Sequence, residues 1–274
     1  MAEPKIDVLS HFIWEPDVEG FGGLSGLEVD LNGETFIAVS DNGVLYRGRF
    51  NREKGNITAA QLIQTVPLLF ETGEHPSEKR YRDIEGLALR KDDGFDVSVE
   101  GNARILSYRD SQGTPTAHSL PLTGEQMPKN TGFEALAISA SGKFVALPEG
   151  SGSIRAPYTV YESNANGWTK IYDLPRHGGF RPVGTDFGPD GHLYVLTRAF
   201  NGFGFATRIE RILFKDDAPI THEKLFASRF GAFDNLEGLS VWAASENDLR
   251  LYAISDDNFS RAQSTEIVEF RLKE

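Results

Sequence analysis

The chain has 274 residues, 39% apolar and 11% aromatic, enough to bury a large core as one repetitive β-domain or as two ordinary domains. Its formal net charge of −12 argues against a nucleic-acid or anionic-membrane partner, because those surfaces are held by an excess of Lys and Arg. The absence of cysteine excludes disulfides, thiolate zinc sites and a cysteine nucleophile, and no apolar run approaches the roughly 20 residues of a membrane-spanning helix.

Residues 1–10, MAEPKIDVLS, lack the basic and apolar regions of a signal peptide. Ala2-Glu3-Pro4 suits the start of a mature exported protein, so a periplasmic or secreted location is expected, with the cytoplasm as the alternative. The segment KIDVLSHFIW, residues 5–14, reads as a strand with no hairpin partner beside it.

One phrase then recurs five times. It reads SGLEVDLNGETFIAVSDNGVLYRGRF from Ser25, EGLALRKDDGFDVSVEGNARILSYR from Glu85 and EALAISASGKFVALPEG from Glu134. It returns as VGTDFGPDGHLYVLTRAF from Val183 and EGLSVWAASENDLRLYAISDDN from Glu237. The second residues, Gly26, Gly86, Ala135, Gly184 and Gly238, are spaced by 60, 49, 49 and 54, within or near the range of propeller blades. Each copy has a short apolar strand, a turn (LNGE, DDGF, SGKF, PDGH, SEND), a second alternating strand, a loop and a third strand. Outer strands follow as ITAAQLIQTVPLL, TAHSLPL, WTKIYDL and HEKLFAS in four copies, and the fifth has no sequence left for one.

The fold expected is therefore an all-β, single-domain β-propeller over residues 1–274, with five four-stranded blades, the last closed by the N-terminal strand. Six blades is the alternative, since the 60-residue first interval has room for an atypical one. A β-sandwich would not repeat one motif in phase.

In a blade the first strand is antiparallel to the second, so the start of one and the end of the other meet at the same rim. At the entrances stand Ser25, Glu85, Glu134, Val183 and Glu237, and at the exits Asp41, Glu100, Glu149, Arg198 and Asp256. Taken singly, each acid is explained as well by a turn or a backbone cap. Their common register predicts a convergence of like charges that calls for a cation, and hard carboxylate oxygens favour calcium, or alternatively magnesium, over zinc.

Loops at the same rim, among them 71–82 (ETGEHPSEKRYR), 123–131, 176–182 (RHGGFRP) and 229–234, with GNAR, GSGSIRAP, AFNGFGFATR and DNFSRAQS, are longer than the turns at the other end. They are expected to carry His75, Lys79, Arg80, Arg82, Arg155, His177, Arg181, Arg208 and Arg261 towards the acids, a setting for a metal-bridged phosphate or carboxylate ester. The FNGFGF segment offers an aromatic wall. Walker, HExxH and EF-hand motifs are absent, and the spacing around Ser25 is not that of a nucleophile elbow.

The phrases SGL…FIAVSDNG-LY, RDIEGLA, FEALAIS…PEG, FATRIERI and NLEGLSVW…LYAISDDNF, in this order, resemble the phytase-like family described as esterase-like activity of phytase. The resemblance spans nearly the whole chain and implies a β-propeller that is usually exported. Ala135 and Val183 depart from the Glu-Gly pair, so no ligand is carried over at Val183, where Asp186 is the possible substitute.

The function expected is a calcium-dependent hydrolase of phosphoesters or related esters, a monomer acting on a small anionic or ester substrate. Glu85, Glu134, Glu237, Glu100, Glu149, Asp41 and Asp256 hold or surround the metal, and Arg82, Arg181, Arg198 and His177 are the catalytic candidates, the arginines stabilising the developing anion. A gluconolactonase-type lactonase and a non-catalytic periplasmic propeller with a structural metal, binding a ligand or protein, are the alternatives.

Overall fold

The computed structural model describes residues 5–100, 103–120, 132–151, 153 and 155–273. The predicted 123–131 loop and Ala2-Glu3-Pro4 lie outside the described residues, as do Gly101, Asn102, Gly152 and Ile154 of the other rim loops.

Hydrophobic alternation broken by turn residues folds the chain into five four-stranded antiparallel sheets. Blade one holds, in order, β2 (Leu24–Val29), β3 (Thr35–Ser40), β4 (Val44–Glu53) and β5 (Asn56–Pro67). Blade two holds β6 (Ile84–Leu89), β7 (Phe95–Val99), β8 (Arg104–Tyr108) and β9 (Thr116–Ser119). Blade three holds β10 (Ala135–Ile138), β11 (Phe144–Leu147), β12 (Tyr158–Asn164) and β13 (Gly167–Leu174). Blade four holds β14 (Arg181–Phe187), β15 (Leu193–Phe200), β16 (Phe205–Lys215) and β17 (Ala218–Ala227). Blade five is built from β18 (Leu236–Ser245), β19 (Asp248–Ser255) and β20 (Glu266–Leu272), and its outer strand is β1 (Ile6–Ile13).

β1 runs antiparallel to β20 from Ile6 opposite Leu272 to Ile13 opposite Glu266, so the N-terminal segment covers the edge that the last blade would expose. The five-bladed expectation thus holds, and the long first interval is filled by the long β4–β5 hairpin and the 71–82 connection rather than by a sixth blade. Among the described residues the only helix is a 3-10 turn at Lys79–Tyr81, and no helix is long and apolar enough to cross a membrane.

The core lies between the blades. Between blades five and one, Trp14, Leu27, Phe36, Phe50, Tyr252 and Ile267 pack together, with Phe50 stacked on Phe36 at 4.4 Å and on Tyr252 at 5.6 Å. Each such side chain contributes on the order of 1.5–3 kcal/mol when fully buried. The blades are also tied by charge: Glu269 on β20 is wholly buried and accepts from Arg250 (3.1 Å), Arg52 (3.2 Å), Tyr252 Oη (3.2 Å) and the Ile57 amide (2.9 Å).

Candidate active site at the axial mouth

β2, β6, β10, β14 and β18 are the inner strands that surround the axis. In four of them the ladder to the second strand skips one residue, between Leu24 and Gly26, Ile84 and Gly86, Pro182 and Gly184, and Leu236 and Gly238. The skipped residues are Ser25, Glu85, Val183 and Glu237, the entrance positions of the repeated phrase. A β-bulge frees a residue from the ladder and re-aims its side chain. In blade three Glu134 stands immediately before β10 and needs no bulge.

The glycine that follows has a separate cause. A Cβ at Gly86 would lie 2.6 Å from the Glu134 carbonyl oxygen, and one at Gly184 2.2 Å from that of Glu237, so neighbouring inner strands approach too closely for a side chain. The space left on the axis at this level is only about 10 Å³, lined by all five inner strands, which is about one water. The channel is therefore a cup with a floor.

The exits fall into register as the hairpin geometry requires. The amides of Asp41, Glu100, Glu149 and Asp256 donate to the carbonyls of Gly23, Asp83, Gly132 and Asn235 at 2.9, 2.9, 3.0 and 3.0 Å, and in blade four Arg198 stands opposite Arg181. Arg198 Nη2 lies 3.0 Å from Glu237 Oε1, and Arg181 Nη1 donates to Glu149 Oε1 at 3.2 Å.

The electrostatics record the convergence. Burial, then the charges of Glu237, Asp83 and Glu100, pushes the Glu85 carboxyl well above its usual range. Glu134 is raised in the same way by burial and then by Glu237, Glu149 and Glu85, against a smaller opposing effect of Arg198. For Glu237 burial outweighs both Arg198 and the hydrogen bond from buried Asn235, 2.7 Å away. Asp256 is pushed up to about 8 by burial and then by Glu237, although the Asn258 amide donates to it. Glu100 and Asp41 are also raised, burial being the main cause in each. Arg198 is pulled down by burial and, more strongly, held charged by Glu237, Glu134, Glu149 and Asp256.

Sequence reasoning placed Lys79 among the rim cations and missed two participants, Asp83 and Asn235. Asp83 has an oxygen within 4.8 Å of ligand oxygens of Glu85 and Glu100. Lys79 Nζ reaches Asp41 Oδ2 at 2.8 Å and Asp83 Oδ1 at 3.1 Å, and Asn235 steadies Glu237. The signal for Asp83 and Asn235 was present, since both stand two residues before a Glu-Gly pair, in RDIEG and DNLEG.

Two of the predicted catalytic residues are not brought to the acids. Arg82 closes the 3-10 turn with a non-extended backbone (φ −123°, ψ 8°), and its Nη1 donates to the Pro76 carbonyl at 2.8 Å within the 71–82 connection. His177 comes too early in its connection: it meets Glu210 of β16, 3.4 Å away, with Arg208, His222 and Lys224 also nearby. Asp186 does not replace the acid missing at Val183. It lies three residues, roughly 10 Å, along β14 and faces Glu28 of β2 near the other end of the inner strands. Of the remaining rim cations, Arg80 pairs with Glu78 and His75 Nδ1 lies 3.0 Å from the Leu68 carbonyl.

The aromatic segment does form a wall. Phe200, Phe203, Phe205 and Phe233, with Asp234 and Gln263, line a cavity of about 440 Å³ beside the mouth, and the Arg198 guanidinium lies 5.8 Å from the Phe205 ring centre.

Fold and site together define a five-bladed propeller with a blind, acidic axial cup. The chain belongs to the Phytase-like family, described as esterase-like activity of phytase, whose profile matches residues 19–259. No curated protein matches it at the level of sequence. Among solved structures it is similar to the PQQ-bound form of an aldose sugar dehydrogenase from Streptomyces coelicolor, with 13% identity, 99% of each chain covered and a TM-score of 0.55. It is likewise similar to a protein of unknown function from Dyadobacter fermentans, with 12% identity, 99% of this chain and 100% of that one covered, and a TM-score of 0.51. Both likenesses concern the propeller fold.

Proposed function

We propose that the protein is a divalent-cation-dependent hydrolase, with calcium as the expected ion and magnesium as the alternative, acting on anionic phosphoesters or related esters at the axial cup. One observation carries the reading. Asp41, Asp83, Glu85, Glu100, Glu134, Glu149, Glu237 and Asp256 converge on a closed cup where, among the described residues, only Lys79, Arg181 and Arg198 pair with them.

The residues fit such an ion. Asp83, Glu85 and Glu100 offer oxygens close to one another, while Glu134 Oε2 and Asp41 Oδ1 are buried without a hydrogen-bond donor. Hard carboxylate oxygens without thiolate or imidazole select calcium or magnesium. A bound divalent cation would supply Lewis-acid polarisation of the ester and a more acidic water. The chain's own groups supply position and charge. Arg198, fixed by Glu237 and stacked near Phe205, is aimed at the cup and suits an anion that develops there. Arg181, half exposed at the rim, suits the substrate's own negative charge as it enters. The phenylalanine-lined cavity suits an apolar part of the ester. The family resemblance further supports an exported protein, periplasmic or secreted, which fractionation of the native host would test.

The decisive assay uses aryl phosphate esters, aryl carboxylate esters and sugar lactones, with chelator-stripped protein and with calcium restored. Turnover is expected to vanish with chelator, return with calcium and fall roughly 100-fold or more in the Glu85→Gln/Glu237→Gln variant and in Arg198→Met. Turnover that survives chelation, or survives the double substitution, overturns the reading. Hydrolysis confined to sugar lactones would favour a gluconolactonase-type enzyme. Calcium that raises the melting temperature with no turnover across the panel would favour a binding propeller with a structural ion.

A further inference from the structure

We infer that the junction of blades three and four holds a second metal site, separate from the axial cup, in which His177, Glu210 and His222 ligate a late first-row divalent cation such as zinc. One potential ligand atom from each of the three lies within 4.8 Å of those of the other two.

The topology explains how they meet. Alternation along β16 and β17 puts His222 and Lys224 on one face, and Glu210 pairs with Lys224 across the ladder, so Glu210 and His222 are diagonal neighbours on that face. His177 arrives from the other blade, in the connection after β13.

Three further observations point to a ligand. His177 Nε2 is buried and makes no hydrogen bond, although it lies 3.4 Å from Glu210 Oε1. Glu210 is 2% exposed, and its Oε1 meets both His177 and Arg208 Nη2 (3.0 Å). Tyr172 Oη lies 3.1 Å from His222 Nδ1 and fixes the plane of that ring, the kind of outer contact that orients ligating imidazoles.

The local charges decide which ion. Arg208 and Lys224 are cationic neighbours and oppose any dication. An oxygen-seeking ion such as calcium gains nothing from imidazole to offset that repulsion, whereas zinc, cobalt, nickel and copper do. Two imidazoles and one carboxylate fill three positions of a tetrahedral ion and leave a fourth open.

The test is independent of any hydrolytic activity. Tag-free, chelator-stripped full chain is titrated with Co²⁺, followed by its visible absorption, then with Zn²⁺ in competition, and bound metal is counted after dialysis. One equivalent of Co²⁺ is expected, displaced by Zn²⁺ but not by excess Ca²⁺, and retained by Glu85→Gln/Glu237→Gln. Affinity should fall at least 10-fold in His222→Ala and in Glu210→Gln. Should either of these fail to fold, His177→Gln, in a connection outside the ladders, carries the same expectation. Absence of stoichiometric Co²⁺ and Zn²⁺ binding to the wild type, or binding unchanged in His177→Gln, overturns the inference.

Discussion

In the cation-free cup Asp256 holds its proton up to about pH 8, while an ordinary aspartate releases it near 3.8. Between those values the folded state binds more protons than the unfolded state, so stability must fall as pH rises. Glu85, Glu134 and Glu237, all raised, act in the same direction. The melting temperature in chelator is therefore expected to decline from about pH 4 to about pH 8, and millimolar calcium should flatten most of that slope by favouring the ionised carboxylates. A flat profile in chelator would contradict the electrostatics described. The slope remaining with calcium belongs to Asp186, raised to about 7 chiefly by burial, and to Glu28, raised by burial and then by Asp186. Asp186→Asn should reduce it, since Asn keeps an oxygen to accept the Val241 amide, 2.7 Å away.

At the scale of the element, two departures from the repeated phrase separate its two residues. Blade three keeps the acid and gives up the glycine at Ala135, whereas blade four keeps Gly184 and gives up the acid at Val183. Glycine in this pair therefore answers to strand packing, and glutamate to the cup. Gly184→Ala should cost about 1–3 kcal/mol in chemical denaturation, because its Cβ would sit 2.2 Å from a neighbouring carbonyl. Ala135→Gly should cost only about 0.5–1 kcal/mol, the usual entropic penalty in a strand. Equal effects would mean that the glycines do not set the spacing of the inner strands. Much of this was legible in the sequence: the phase of the repeat, the hairpin turns and the pairing of entrance with exit residues all follow from period-two alternation. The bulges were not, because skipping one residue leaves the alternation on either side intact. Nor were the positions of Arg82 and His177, since the direction a connection gives a side chain depends on backbone contacts such as the Pro76 carbonyl. His177, Glu210 and His222 carry no spacing signature, as each comes from a different element.

At the scale of the whole molecule, stability rests on closing a ring, and Glu269 sits at the closure. It joins β20 to β19 through Arg250, to blade one through Arg52 and the Ile57 amide, and to the closing strand through Ser10 Oγ at 3.3 Å. Glu269→Ala leaves two arginines without their buried partner and should cost about 3–5 kcal/mol, read as a lowered denaturation midpoint at unchanged slope. A loss below about 1 kcal/mol would mean that apolar packing between blades five and one closes the ring unaided.

The floor of the cup has a consequence for traffic. With about 10 Å³ of axial space beneath the acids, no chain can thread through the propeller. Whatever reaches Glu85 and Glu237 enters and departs by a single door, end first.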